Sequence, residues 1–169
     1  MRIREFTKIC DGISERTGWA ASWLIWIAMG LCVYEIFTRR FFDSPHKWTY
    51  EVTNIFYAAN FMLLAAYTLL HKGHVAVDIF YVRFKPKTQR TLDTINFLLF
   101  FFPFVLVLLY VGADSAISSW AVYERTSIGL PLLYPLLKTV TPVTALLLFM
   151  QGLSEFTKRV SPGAKGEAA

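Results

Sequence analysis

The histidines and carboxylates of this sequence are the residues best suited to bind a metal ion or a cofactor. His71, His74 and Asp78 stand three and four residues apart, and such spacings place side chains on one face of a helix. That face could hold a metal ion, but no fourth ligand is in sight. A hydrogen bond between His74 and Asp78 that fixes the local turn accounts for the same spacing. We therefore predict no metal site and no cofactor.

A haem group needs two axial histidines that face each other across helices. His71 and His74 lie at one end of a long apolar run, whereas His46 lies before its other end, so no pair can clamp haem at mid-depth. The sequence also lacks a phosphate-binding glycine loop, a nucleophile elbow and a zinc-protease motif. We therefore predict that the chain is not an ATPase. A redox subunit that holds haem or quinone, and a standalone small carrier or channel, are the alternative functions.

The composition is typical of an integral membrane protein. The chain has 169 residues, of which 55% are hydrophobic, 17% aromatic and 17% charged, whereas soluble domains have about 25% charged residues. Fifteen phenylalanines are more apolar surface than a small soluble protein can bury, and lipid can cover the excess. The net charge of +5 comes from short segments between apolar runs, where it indicates topology. We therefore expect membrane lipids, and no nucleic acid, as partners.

Four apolar segments are long enough to cross the hydrocarbon core as helices, which requires about 20 residues. They cover approximately residues 19–38, 49–70, 92–113 and 134–156. Pro103 falls inside the third segment and predicts a kink, and this helix is expected to continue past the bilayer through Asp114 and Trp120. We predict an all-α integral membrane protein with four transmembrane helices in a single domain, 1–169, and a flexible tail at 157–169.

Two charged segments beside the spans predict helices that lie in the membrane interface. Apolar side chains recur at helical spacing in the leader, residues 1–18, which is expected to be a short amphipathic helix on the membrane surface. This spacing is formed by Ile3, Phe6, Ile9 and Ile13. The second connection, 71–90, is too apolar in its middle for a free loop, and an isolated strand at a membrane would leave its backbone unpaired. A helix is therefore expected there, and Pro86 is well placed to start the next one.

The distribution of lysine and arginine predicts the orientation in the membrane. The leader, the second connection and the tail carry twelve of these residues. The first connection, 39–50, and the third connection, 124–133, together with the start of the last span, carry five. Because positive charge is enriched on the cytoplasmic side, both termini are expected in the cytoplasm. The first and third connections are then expected to face outward.

Glu35 is the charged residue near the far end of the first span, four residues before Arg39. The two side chains can share a helix face. A charge at mid-membrane costs at least about 2.5 to 3.5 kcal/mol on insertion scales, and a position near the interface reduces that cost. Two interpretations are open: an ion pair at the end of a helix, or an intramembrane contact to a partner subunit.

The block from residue 39 to 78 resembles the DctQ-like small membrane subunits of tripartite ATP-independent periplasmic (TRAP) transporters. These subunits share an arginine and an aromatic residue, a Ser-Pro pair, a tryptophan and an acidic residue, and then a long span that ends in His-x-x-x-Asp. The matching residues here are Arg39, Phe42, Ser44, Pro45, Trp48, Glu51, His74 and Asp78. The resemblance extends over about residues 19–155, although Tyr50 stands where members often have a second acidic residue.

The resemblance implies a non-catalytic subunit of the bacterial inner membrane. Such subunits scaffold a large, elevator-type permease subunit that carries the Na⁺ and substrate sites, and a periplasmic protein delivers the substrate, typically an organic acid. No substrate-binding residue is then expected in this chain. The outward connections are expected to help dock the binding protein. Salt bridges to an acidic surface of that protein would come from Arg39, Arg40, Lys47 or Arg125.

Overall fold

The computed structural model of the protein describes residues 2–71 and 86–160. The helices are α1 (Arg2–Phe42), α2 (Lys47–Leu70), α3 (Pro86–Asn96), α4 (Phe102–Ala121) and α5 (Leu133–Val160), and a π-helical segment, Phe97–Phe101, joins α3 to α4. Over these residues the structure has no β-strand, so the all-helical prediction is confirmed. The interior of the second connection, with His74 and Asp78, lies outside the described residues, as does most of the predicted tail.

Four helical segments are long and apolar enough to cross a membrane, as predicted. They are Glu5–Phe42, Lys47–Leu70, Thr94–Ala121 and Leu133–Lys158. In their most apolar windows only 11 to 22% of the residues are buried inside the bundle. Large exposed apolar surfaces mark contact with a membrane or with another protein, so most of this surface is available to lipid or to a larger membrane partner.

The leader is not a separate helix, because α1 runs without a break through 41 residues. At about 1.5 Å per residue such a helix is about 60 Å long, roughly twice the thickness of the hydrocarbon core. No proline interrupts it, and the isolated Gly18 has a packing role. A Cβ atom at Gly18 would lie 2.4 Å from Cδ2 of Tyr67, so glycine lets α2 approach closely. Gly18, the last residue of the predicted leader, therefore lies at a helix–helix contact within a continuous helix.

The helices form a bundle in which α5 is central. α1 packs along α2, α2 also packs on α5, and α4 packs mainly against α5 at the edge of the bundle. Ala66, Val105 and Leu148 form a small apolar core where three helices meet. The amide of Asn60 is buried and donates a hydrogen bond to the carbonyl of Ala21, with an N···O distance of 2.6 Å. This polar residue inside the second span therefore joins α1 to α2.

The irregularity expected near Pro103 takes the form of the π-helical segment directly before it. The backbone N–H of Phe102 donates to the carbonyl of Phe97, five residues earlier, which widens the turn. Gly152 on α5 permits this geometry, because a Cβ atom there would lie 2.1 Å from Cε1 of Phe101. The ring of Phe97 in the segment lies 6.4 Å from that of Phe156 on α5. Phe102, the first residue of α4, likewise lies 5.6 Å from Phe149 between ring centroids.

Candidate functional site

The first connection is closed by Glu35, which reaches from α1 to the start of α2. Its carboxylate accepts the backbone N–H of His46 at 3.2 and 3.3 Å and pairs with Nη2 of Arg39 at 3.3 Å. Unpaired N–H groups and the helix dipole make the start of a helix favourable for a carboxylate. Glu35 is 15% exposed and Arg39 67% exposed. The spacing predicted the contact with Arg39, whereas the contact with His46 depends on the turn between the helices.

An aromatic cluster supports the same turn. The rings of Tyr34, His46 and Trp48 lie 5.9 to 6.4 Å apart between centroids. Asp43 has a φ of +50°, a left-handed conformation that short polar side chains tolerate, and Pro45 precedes the first residues of α2. The aromatic contacts of Trp48 therefore fix the position at which the second span begins.

Glu51 connects α2 to the third connection. Its Oε1 accepts a hydrogen bond from the hydroxyl of Ser127, and the hydroxyl of Thr126 also faces the carboxylate. The turn is compact, because the N–H of Gly129 donates to the carbonyl of Thr126 at 2.9 Å and Gly129 has a φ of +84°. The first and third connections therefore meet at the same end of the bundle, as expected for a chain with four spans.

A groove with a cavity volume of about 630 Å³ lies between these two connections, and we call it the connection groove. Binding sites commonly have volumes of about 300 to 1,000 Å³. The groove is lined by residues of α1, α2 and α5 together with both connections. Representative lining residues are Arg39, Lys47, Tyr50, Glu51, Ser127 and Leu137. The groove therefore brings cationic, acidic, aromatic and apolar side chains together.

The four predicted docking cations lie around this end of the bundle, and all four are exposed. Arg39 and Lys47 line the connection groove, whereas Arg40 and Arg125 do not. Arg125 forms an isolated backbone bridge with Pro131. Within the described parts of the chain, Arg39 has an acidic partner, and Arg40, Lys47 and Arg125 have none. These three cations are therefore available to a partner.

The other family-motif residues are found at the same end. Pro45 lines the groove, and the N–H of Ser44 lies 3.5 Å from the carbonyl of Thr38. Phe42 is 69% exposed, and its ring lies 6.1 Å from that of Phe37. The first part of the motif is therefore a folded turn. Its last two residues, His74 and Asp78, lie outside the described residues.

Glu124 fixes the base of the third connection. It forms an ion pair with Lys138 of α5 and accepts a hydrogen bond from the hydroxyl of Ser119 at 2.6 Å. The hydrogen bond from Lys138, followed by that from Ser119, lowers the pKa of Glu124 below its usual value. The ion pair therefore holds the carboxylate ionised and ties the connection to the start of α5.

A buried polar network at the opposite end attaches the leader to α5. The hydroxyl of Ser14 donates to Oε1 of Gln151 at 2.8 Å, and Nε2 of Gln151 donates to Oδ1 of Asp11 at 3.0 Å. Ser154 also donates to Asp11, and Lys158 pairs with it at 2.8 Å. Gln151 and Ser154 are fully buried. Sequence reasoning missed this network, although polar residues at helical spacing on both segments were its signal.

The histidines of the described chain have protein partners. Nε2 of His71 lies 3.0 Å from the carboxylate of Glu15, and His46 lies at the other end of α2, so these two cannot ligate one haem iron. Groups of three His, Cys, Asp or Glu side chains that could hold a metal ion are absent from residues 2–71 and 86–160. His74 belongs to the part of the second connection that is not described.

The fold defines a multi-pass helical membrane protein. A family model described as "Tripartite ATP-independent periplasmic transporters, DctQ component" matches residues 28–161. This match covers more than half of the chain, so the protein belongs to the DctQ family, and the resemblance read from the motif is confirmed. The protein is thus a component of a tripartite transporter, which implies partner subunits. Comparison with curated proteins gives no significant match.

Proposed function

We propose that this chain is the non-catalytic small permease subunit of a TRAP transporter in the bacterial inner membrane. It scaffolds a large, elevator-type permease subunit and helps a periplasmic binding protein to dock during Na⁺-driven uptake of an organic acid. The observation that carries the proposal is the connection groove, which lies where the first and third connections meet in a chain of the DctQ family. Both termini then lie in the cytoplasm.

The scaffold role is supported by how both ends of the bundle are tied together. Glu35 and Glu51 join helices and connections at one end, and Gln151 joins α1 to α5 at the other. Asn60, a polar residue within the second span, is used in a contact between helices. Hydrogen bonds of this kind stabilise helix association in membranes. A bundle fixed in this way suits a static support better than a moving carrier.

The docking role is supported by the unpaired cations beside the groove. Arg40, Lys47 and Arg125 are exposed, and cationic patches attract acidic surfaces and accelerate association. Tyr50 is 71% exposed beside them, and tyrosine is enriched at protein interfaces. The surface therefore combines long-range attraction with an aromatic contact, as expected of a transient docking site.

Co-purification from the native host tests the proposal. The tagged chain, extracted in mild detergent, is expected to bring a large multi-span permease in near-equal amount. An unrelated four-span protein with the same tag, expressed and extracted in parallel, controls for non-specific capture. If the chain elutes alone or only with copies of itself, the scaffold function is wrong and the carrier or channel alternative gains support.

A further inference from the structure

The helix α4 has one face that no part of the described chain covers. Its small buried residues, Gly112, Ala116 and Ser119, lie on the side that packs against α5. The opposite side carries exposed residues one turn apart, which we call the exposed face of α4: Tyr110, Asp114, Ile117 and Ser118. Tyr110 is 77% and Ile117 70% exposed. Three polar residues, Tyr110, Asp114 and Ser118, therefore lie on the outer side of a membrane-spanning helix.

The helix register places Asp114 near the middle of the bundle along its long axis. A Cβ atom on Gly112 would lie 3.0 Å from Cγ2 of Thr141, and the hydroxyl of Thr141 lies 3.7 Å from the sulfur of Met62. Asp114 lies about 3 Å further along α4, toward the end at which α2 begins. It is therefore level with the central turns of α2, whereas the sequence suggested that the helix leaves the bilayer there.

Asp114 also lacks a partner in the described part of the chain. Glu35, Glu51 and Glu124 each accept hydrogen bonds from neighbouring groups, but Asp114 makes no hydrogen bond or ion pair with residues 2–71 or 86–160. Lys138 of α5 is paired with Glu124. Ionisable residues within membrane spans usually face a protein interior and pair there.

We propose that the exposed face of α4 is the docking surface for the large permease, and that a permease helix presents a lysine or arginine side chain to Asp114. This inference rests on the proposed function and identifies the surface of this chain that contacts the permease. Lipid is a poor occupant, because its cationic amines lie at headgroup level and its acyl chains cannot pair with a carboxylate. The hydroxyls of Tyr110 and Ser118 offer further hydrogen bonds, and Ile117 supplies apolar contact.

The test compares permease recovery between variants of the tagged chain at matched expression. Asp114→Lys is expected to lower the recovered permease at least tenfold, and Asp114→Asn to lower it less, because the amide keeps its hydrogen-bonding capacity. The control Glu5→Lys makes the same charge change on an exposed residue of the leader and should leave recovery unchanged. Because Asp114 has no described partner, the melting temperature of the isolated variant should match that of the wild type.

A photocrosslinking residue in place of Ile117 provides a second measurement that does not alter charge. The expected product is a covalent adduct with the permease. Normal permease recovery with Asp114→Lys, or crosslinks from position 117 to lipid alone, would overturn the docking face while wild-type recovery still supported the proposed function. Absence of permease from the wild-type preparation would instead reject the proposed function itself.

Discussion

Glu35 illustrates how one side chain can serve two neighbouring helices. It pairs with Arg39 on its own helix and accepts the backbone N–H of His46 at the start of the next. The four-residue spacing made the first contact predictable from the sequence. The second contact required knowledge of the turn that brings residue 46 back to residue 35, and a single sequence does not contain that geometry.

Mutations should distinguish the contributions of the two contacts of Glu35 to the free energy of unfolding. Glu35→Ala removes a cap of the second span and is expected to lower the free energy of unfolding by about 1 kcal/mol. Arg39→Ala removes only an exposed ion pair, which contributes about 0 to 1 kcal/mol. Thermal unfolding in detergent compares the two variants with the wild type. Equal destabilisation by both would show that the contact with His46 contributes nothing.

The unpaired cations beside the connection groove should control affinity for the binding protein. The double variant Lys47→Glu and Arg125→Glu is expected to raise the binding-protein concentration needed for half-maximal uptake about tenfold, which corresponds to about 1.4 kcal/mol. The maximal rate should change little, because no substrate-binding residue is expected in this chain. Lys8→Glu, which reverses the charge of an exposed residue in the leader, is the matched control. If uptake by the double variant depends on binding-protein concentration as in the wild type, these cations have no electrostatic role in docking.

At the scale of elements, the helices were predictable but their contacts were not. The lengths and apolar character of the segments predicted four spans, and all four are present. The leader, residues 1–18, was expected to be a separate helix, yet its last residue, Gly18, lies against Tyr67 within a continuous helix. The buried network around Gln151 was missed for the same reason, since it depends on which helix faces which.

The leader should detach when its network with α5 is broken. Gln151→Leu leaves the buried hydroxyl of Ser14 without its partner and removes one of the hydrogen bonds to Asp11, which costs about 1 to 3 kcal/mol. Faster hydrogen exchange in residues 5–15 is the expected result. Ser22→Ala is the control, because that hydroxyl bonds only to its own helix at Gly18. Unchanged exchange in the leader would mean that apolar contacts alone hold it in place.

The stability of the protein should depend on pH through the ionisation of Glu124 in the third connection. Its pKa is lower in the folded protein than the usual value of 4.5 because of the hydrogen bond from Lys138. A lowered pKa contributes stability above the unfolded value and loses it as the pH falls through the folded value. Wild type should therefore be more stable than Glu124→Gln at pH 7, and the gap should narrow below about pH 4.5. If the stability difference between wild type and Glu124→Gln stays the same across that pH range, this role of Glu124 is contradicted.

At the scale of the whole molecule, the described structure is a four-span bundle whose two ends are each tied by polar contacts. Its most apolar windows are largely exposed, which fits a subunit that is covered by a larger partner. The family could be inferred from the turn motif around Pro45 and Trp48. The exposed face of α4 could not, because the exposure and depth of its residues depend on helix register, as the position of Asp114 shows.

Reconstitution in proteoliposomes tests the central claim most directly. Uptake of an organic acid driven by a Na⁺ gradient would be measured with the large permease and the binding protein, in the presence and absence of this chain, and with this chain alone. We expect uptake only when all three proteins are present. Transport by this chain alone, or equal uptake without it, would contradict the account of a non-catalytic scaffold.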